Sequence, residues 1–189
     1  MDVGRAAWVR KYAAQREPWS GPVHAAPLLA ELRGRVVELG AGGGKVGAAL
    51  PRDALALDWA ALPPGRPGAL ADVRALPLAD ASVDALVAIH VLGHLEAPAA
   101  ALAEWRRVLR PRGRLVLEVF AAGDARDGAG REVAPRAYER EGIVTRYFEP
   151  RELEALLAGA GLAGEVALEE RALRWGVRRA LRASASPTA

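Results

Sequence analysis

One stretch constrains this chain more than any other: Arg35-Val36-Val37-Glu38-Leu39-Gly40-Ala41-Gly42-Gly43-Gly44-Lys45-Val46-Gly47-Ala48-Ala49-Leu50. Val36, Val37 and Leu39 read as a short buried strand. Glycines follow at once, and Val46 to Leu50 resume at helical spacing, so the pattern is strand, tight turn, helix. Glycine is needed where the backbone takes positive φ, or where a ligand comes too close for a Cβ. A helix starting there aims its free N–H groups at the same place. The turn is therefore expected to hold a ligand with oxygen-rich or anionic parts. A dinucleotide G-x-G-x-x-G starting at Gly40 needs glycine where Lys45 stands. A P-loop needs glycine at Leu39 and Ser or Thr at Val46. What remains is Glu38-x-Gly40-x-Gly42-x-Gly44.

That remainder resembles the first motif of the class I S-adenosylmethionine (SAM) methyltransferases. The resemblance implies that Glu38 faces the cofactor's amino-acid end, and that Gly40, Ala41, Gly42 and Gly44 let the backbone pass close to it. Further along, Ala54 to Asp58 reads as a second strand. An acid at its end, Asp58, is placed to accept from ribose hydroxyls. Trp59 is set to lie against adenine. Leu62 to Gly68 holds three prolines and two glycines, so the usual crossover helix is short or missing there. A third short strand covers Ala69 to Val73. Asp72-Val73-Arg74-Ala75-Leu76-Pro77-Leu78 resembles the family's D-x-x-x-L-P-F segment, in which the Asp accepts from the adenine amino group. Ser82-Val83-Asp84 opens a fourth strand that runs to His90. Val91-Leu92-Gly93-His94-Leu95 resembles V-L-H-H-L. Arg110-Pro111-Arg112-Gly113 stands for R-P-G-G before a fifth strand through Phe120. The resemblance covers roughly residues 34–162. It implies a Rossmann-like, doubly wound α/β fold, a seven-stranded sheet that is parallel except for one reversed strand near the C-terminus.

Between these strands, Ala99 to Arg110 reads as an amphipathic helix, and Arg151 to Ala160 as a second, capped from Tyr147 to Pro150 and ended by Gly161. Residues 1–33 read as a helical lid carrying Trp8, Tyr12, Gln15 and Trp19, broken by Pro and Gly at 17–22. The catalytic domain then spans 34–182, with a substrate-facing insertion at about 121–146. Residues 163–182 read as two antiparallel β segments turning near Ala172 or Trp175, and 183–189 as a flexible tail.

Composition narrows the chemistry. The 189 residues suit one domain, and 51% are hydrophobic. No cysteine is present, which excludes disulfides, a thiol nucleophile and cysteine-ligated metal. With three scattered histidines no catalytic metal is expected. No apolar run reaches the ~18 residues of a membrane span, and a cytoplasmic location is expected. Net charge is +3 and almost all of the positive charge is arginine, mixed with acids, which permits an RNA partner without requiring one.

Methyl transfer from SAM needs a near-attack geometry in a dry pocket, and a base where the acceptor holds a proton. Candidates for that base are His90, His94 and Glu118, with His90 also lining the cofactor. Tyr12, Tyr138, Arg146 and Tyr147 are expected to meet the substrate. A small molecule is the expected acceptor, through O or N. The alternative is tRNA: Arg16-Glu17-Pro18-Trp19 and Gly44-Lys45 resemble the wobble-uridine tRNA methyltransferases, which act with a small zinc-binding activator subunit. A non-catalytic SAM-binding subunit is a third reading, against which the glycine turn and both acids argue.

Overall fold

The computed structural model describes residues 3–14, Val23 and residues 25–188. Gln15, Arg16 and the break at 17–22 with Trp19 lie outside the described residues. Seven strands form the main sheet: β1 (Val36–Leu39), β2 (Leu55–Asp58), β3 (Gly68–Leu70), β4 (Val83–Ile89), β5 (Leu109–Phe120), β9 (Leu162–Leu173) and β10 (Gly176–Pro187). Their order is β3-β2-β1-β4-β5-β10-β9. Neighbours from β3 to β5 are parallel, while β10 runs against both β5 and β9. The one reversed strand is thus in place.

Apolar side chains point both ways from the central strands, so the sheet is buried on two faces. Val37, Leu39, Leu86, Ala88, Leu115 and Leu117 face α3 (Pro98–Val108) and α4 (Pro150–Gly159), meeting Leu102, Trp105, Leu153 and Leu157. Val36, Ala85, Val87 and Val116 face the other way, toward Leu29 of α2 (Ala26–Ala30) and Leu50. The α4 start is fixed by a reciprocal capping box between Glu149 and Glu152, with Pro150 in the first turn. α3 also holds the segment after β3. Trp105 Nε1 donates to Val73 O at 2.8 Å, Leu76 N donates to Glu104 at 2.7 Å, and Arg107 reaches Asp80 at 2.5 Å.

Two expectations need correction. The helix after the glycine turn is only a single 3-10 turn, Val46–Ala49, because Gly47 and Pro51 bracket too few residues for α-helix nucleation. The idea of a long helix aiming its N-terminus at the ligand therefore falls. No helix joins β2 to β3, as the prolines dictated. Residues 183–187 are no loose tail: they end β10, with Ala183 and Ala185 buried in the core and register Ala183↔Leu117 and Ala185↔Leu115 on β5. The insertion is also ordered, as an antiparallel sheet of β6 (Arg131–Ala134), β7 (Ala137–Arg140) and β8 (Ile143–Arg146). Among the described residues no helix is long and apolar enough to cross a membrane.

Candidate active site

The strand order reverses between β1 and β4, which is where a doubly wound sheet opens a crevice at its strand ends. A cavity of about 1110 Å³ starts there. Its near half is lined by Gly40, Ala41, Gly43, Gly44, Asp58, Trp59, Val73 and His90.

The glycine loop is shaped by its neighbours. Gly40 has φ +67°, and a Cβ on it would lie 2.4 Å from Val91 Cγ2; Gly42 has φ +49°, and a Cβ there would lie 2.2 Å from Tyr12 Oη. Neither position can hold another residue without displacing those atoms. Asp58 anchors the loop. Its buried carboxylate accepts from Gly42 N at 2.9 Å, and from Ala60 N at 2.7 Å and Ala61 N at 3.2 Å. It thereby ties the first glycine turn to the chain after β2, with its backbone partners supplying the charge-assisted bonds that let a carboxylate be buried.

Three residues expected at the cofactor do not line the cavity. Glu38 is buried beneath the loop in an ion pair with Arg66, and does not line the cavity. Burial raises its carboxyl above the usual range despite Arg66. Asp72 likewise stays off the lining. Arg74 holds it bidentately, at 2.7–3.1 Å, and this pair lowers its carboxyl. Arg74 in turn lies over the Trp59 ring at 5.2 Å. Gly42 is beneath Tyr12 and is not on the lining either.

β4 delivers the histidines. His90 sits at φ +57°, a strained conformation for a residue with a side chain. Its backbone N donates to Glu118 O at 2.7 Å, its ring stacks on Phe120 at 4.2 Å, and Nε2 lies 3.1 Å from Glu118 Oε1. Nε2 is therefore the donor, which leaves Nδ1 as the lone-pair nitrogen; that atom is occluded and without a hydrogen-bond partner. Glu118 also accepts from Arg182 Nη2 at 3.1 Å, and Arg182 reaches on to Glu169 at 2.8 Å. Burial alone would raise the Glu118 carboxyl, but His90 and Arg182 outweigh it and hold it at about 2. His94 donates Nδ1–H to Val144 O at 2.7 Å. Burial, reinforced by His90 and Lys11, lowers its pKa to about 4 against that bond, so the ring is neutral near pH 7.

α1 (Val3–Ala14) lies over this half. Arg5 Nε donates to Trp59 O at 3.0 Å, Trp8 meets His94 edge-on at 5.0 Å and stacks on Tyr12 at 5.8 Å. Of the four residues expected to meet the substrate, Tyr12 lines the cavity, whereas Tyr138, Arg146 and Tyr147 do not. Tyr147 is core: its hydroxyl donates to Arg126 O at 3.0 Å, its ring tilts against Phe120, and burial leads the acids Asp124 and Asp127 in raising it to about 12. Tyr138 packs edge-on against Tyr147 at 6.1 Å.

The far half of the cavity was not anticipated. It is built by Phe120, by Arg126 in the loop after β5, and by Leu173, Trp175, Arg178 and Ala180 of the β9–β10 hairpin. These residues are some fifty positions apart, so no local pattern announces them. The one available signal was a tryptophan between arginines, Arg174-Trp175, at a hairpin tip.

Comparison with known proteins agrees with this arrangement. A family model described as a methyltransferase domain matches residues 37–117. A malonyl-[acyl-carrier protein] O-methyltransferase of Methylococcus capsulatus is 35% identical over 158 residues, covering 75% of this chain and 56% of that protein. The chain thus spans little more than half of that relative's length. The crystal structure of Burkholderia thailandensis 1,6-didemethyltoxoflavin-N1-methyltransferase, with bound 1,6-didemethyltoxoflavin and S-adenosylhomocysteine, superposes at TM-score 0.77 and 23% identity, covering 99% of this chain and 88% of that one. A Haloferax volcanii methyltransferase in complex with the Trm112 methyltransferase activator superposes at TM-score 0.66 and 17% identity, over 100% of this chain and 97% of the other. The methyltransferase-domain match over residues 37–117, the methyltransferase relative and the shared strand order make the chain similar to the SAM-dependent methyltransferases of class I, whose fold it has.

Proposed function

We propose that the protein transfers the methyl group of SAM to an oxygen or nitrogen of a small molecule. The observation that carries this is one continuous cavity, which runs from the glycine loop and Asp58 past His90 to a second, aromatic and cationic half. One chamber thus has room for donor and acceptor side by side. Gly40, Ala41, Gly44, Asp58, Trp59, Val73 and His90 are proposed to hold the cofactor, and α1, with Trp8 and Tyr12, to act as its lid. Bound there, SAM supplies a methyl on a sulfonium, transferred by in-line displacement to leave S-adenosylhomocysteine.

The chain's part is to orient and to exclude water. None of the three candidate bases is well placed to take a proton. Glu118 is committed to His90 and Arg182, the lone-pair nitrogen of His90 is occluded, and His94, which keeps a lone pair on Nε2, is a weak base because burial lowers its pKa to about 4. An acceptor with a lone pair already free suits this site better than one needing deprotonation.

The tRNA reading is less well supported. Of the arginines that could form a phosphate-binding face (Arg126, Arg131, Arg136, Arg140 and Arg146, joined by Arg174, Arg178 and Arg179), Arg131 pairs with Glu139, Arg136 with Glu152, Arg140 with Glu141 and Arg179 with Glu170, while Arg126 and Arg178 line the cavity. Paired cations release few counterions on binding RNA. The likeness to the activator-bound protein of Haloferax volcanii keeps a partner subunit as an outcome to test. Calorimetry should show SAM and S-adenosylhomocysteine binding. With methyl-labelled SAM, label should enter a deproteinised metabolite extract and not bulk tRNA. Label in tRNA, alone or after an activator subunit is added, overturns the small-molecule reading.

A further inference from the structure

We propose that Arg126 and Arg178, set against Trp175, form a receptor for a carboxylate group on the methyl acceptor; this rests on the methyltransferase reading of the same cavity. The two guanidinium groups lie over the Trp175 ring, Arg126 at 4.8 Å and Arg178 at 5.3 Å, and Arg178 also lies over Phe120 at 4.7 Å. Both line the cavity. Arg178 is drawn into the protein, its side chain 17% exposed. Its Nε is 2.8 Å from Asp124 Oδ2 but out of line for a hydrogen bond. Among the described residues, no hydrogen bond reaches the terminal nitrogens of Arg178 or the guanidinium of Arg126.

The surrounding charges leave these two in surplus. Glu118 and Glu169 are committed to Arg182, and Glu170 to Arg179 at 2.7 Å. Asp124, with its side chain wholly buried, divides its oxygens among Arg126 N at 2.9 Å, Arg179 N at 2.8 Å and Arg178. One acid therefore faces two guanidinium groups. Burial and the neighbouring Arg126 lower the Arg178 pKa against the pull of Asp124, which is the strain an incoming anion relieves. The site is also built, not adventitious. Asp124 and the Tyr147 hydroxyl fix the Arg126 backbone from two sides.

A planar guanidinium presents paired donors that match a carboxylate. The apolar floor of Phe120, Leu173 and Ala180 suits an organic acid's body and penalises the heavier hydration of a phosphate. The nearby Glu169 and Glu170 also disfavour a dianion.

The test uses the whole protein saturated with S-adenosylhomocysteine, whose own binding is measured first by calorimetry. Benzoate and hexanoate, one flat and one aliphatic, are then titrated beside their neutral amides and inorganic phosphate. Readouts are calorimetry and tryptophan fluorescence. At least one acid should bind about tenfold or more tighter than its amide, and Arg126→Gln should remove about tenfold of that affinity. Arg178→Gln should do the same, and S-adenosylhomocysteine affinity should stay within about twofold in both variants. Arg126 is exposed, so its variant folds even if loss of Arg178 beside buried Asp124 does not. Acid and amide binding alike, absence of acid binding, or acid binding indifferent to Arg126→Gln overturns the receptor. Phosphate binding tighter than both acids overturns its assignment to a carboxylate. No binding of S-adenosylhomocysteine overturns instead the methyltransferase reading beneath it.

Discussion

Glu118 and Asp58, near the ends of β5 and β2, show how buried carboxylates are put to two uses. Asp58 is held by backbone N–H groups and fixes a loop, whereas Glu118 is held by side chains and fixes His90 and Arg182. The second use makes a pH signature. The Glu118 carboxyl is depressed to about 2 in the folded protein and returns to about 4.3 on unfolding. Its contribution is therefore complete above the unfolded value and is lost as pH falls from about 4.5 toward 2. At neutral pH that contribution is on the order of 3 kcal/mol. Glu118→Gln should be destabilised by that order in urea at pH 7, with the gap to wild type closing near pH 2.5; a gap independent of pH refutes the linkage. At this scale the sequence was partly legible. Asp58 was readable because its place after a strand is a position rule. Glu38, inside β1, and Asp72, after β3, are claimed by Arg66 and Arg74, and those arginines sit in proline-rich or turn segments whose path depends on tertiary packing.

Among the elements, strands were readable and the helices between them less so. Short apolar runs such as Ala85 to Ile89, bounded by turn signals, read as buried strands, and the prolines at 63, 64 and 67 ruled out a helix. The stretch from Val46 to Leu50 carried helical spacing but was too short to propagate it. α1 is the element whose role is most open to experiment. It buries only Ala7 among its described residues, while Arg5, Trp8 and Tyr12 reach Trp59, His94 and Gly42. Deleting residues 1–14 should leave far-UV circular dichroism and the unfolding midpoint close to wild type, and weaken S-adenosylhomocysteine by about tenfold or more in calorimetry. Loss of the folded state on deletion refutes the lid assignment.

For the whole molecule, the last strand decides whether the sheet closes. Arg182-Ala183-Ser184-Ala185-Ser186 alternates small apolar and polar residues, the period of a strand, but alanine carries too little apolar surface to announce burial in sequence. Ala183 and Ala185 nonetheless fill the core opposite Leu117 and Leu115. A chain stopped after Arg182 should lose several degrees or more of thermal midpoint in calorimetry; an unchanged midpoint refutes a core role. The layering has a consequence of its own. On the α3–α4 face twenty-six described residues form one buried cluster, while on the α2 face, where crossover helices are missing, the cluster has nine. Among the described residues the α2 face thus buries less apolar surface, and its opening is expected to cost less free energy than that of the α3–α4 face. The glycine loop is attached to the weaker face. A ligand seated on it would stand in for the missing layer, so resistance to proteolysis at that side is expected to rise with ligand occupancy.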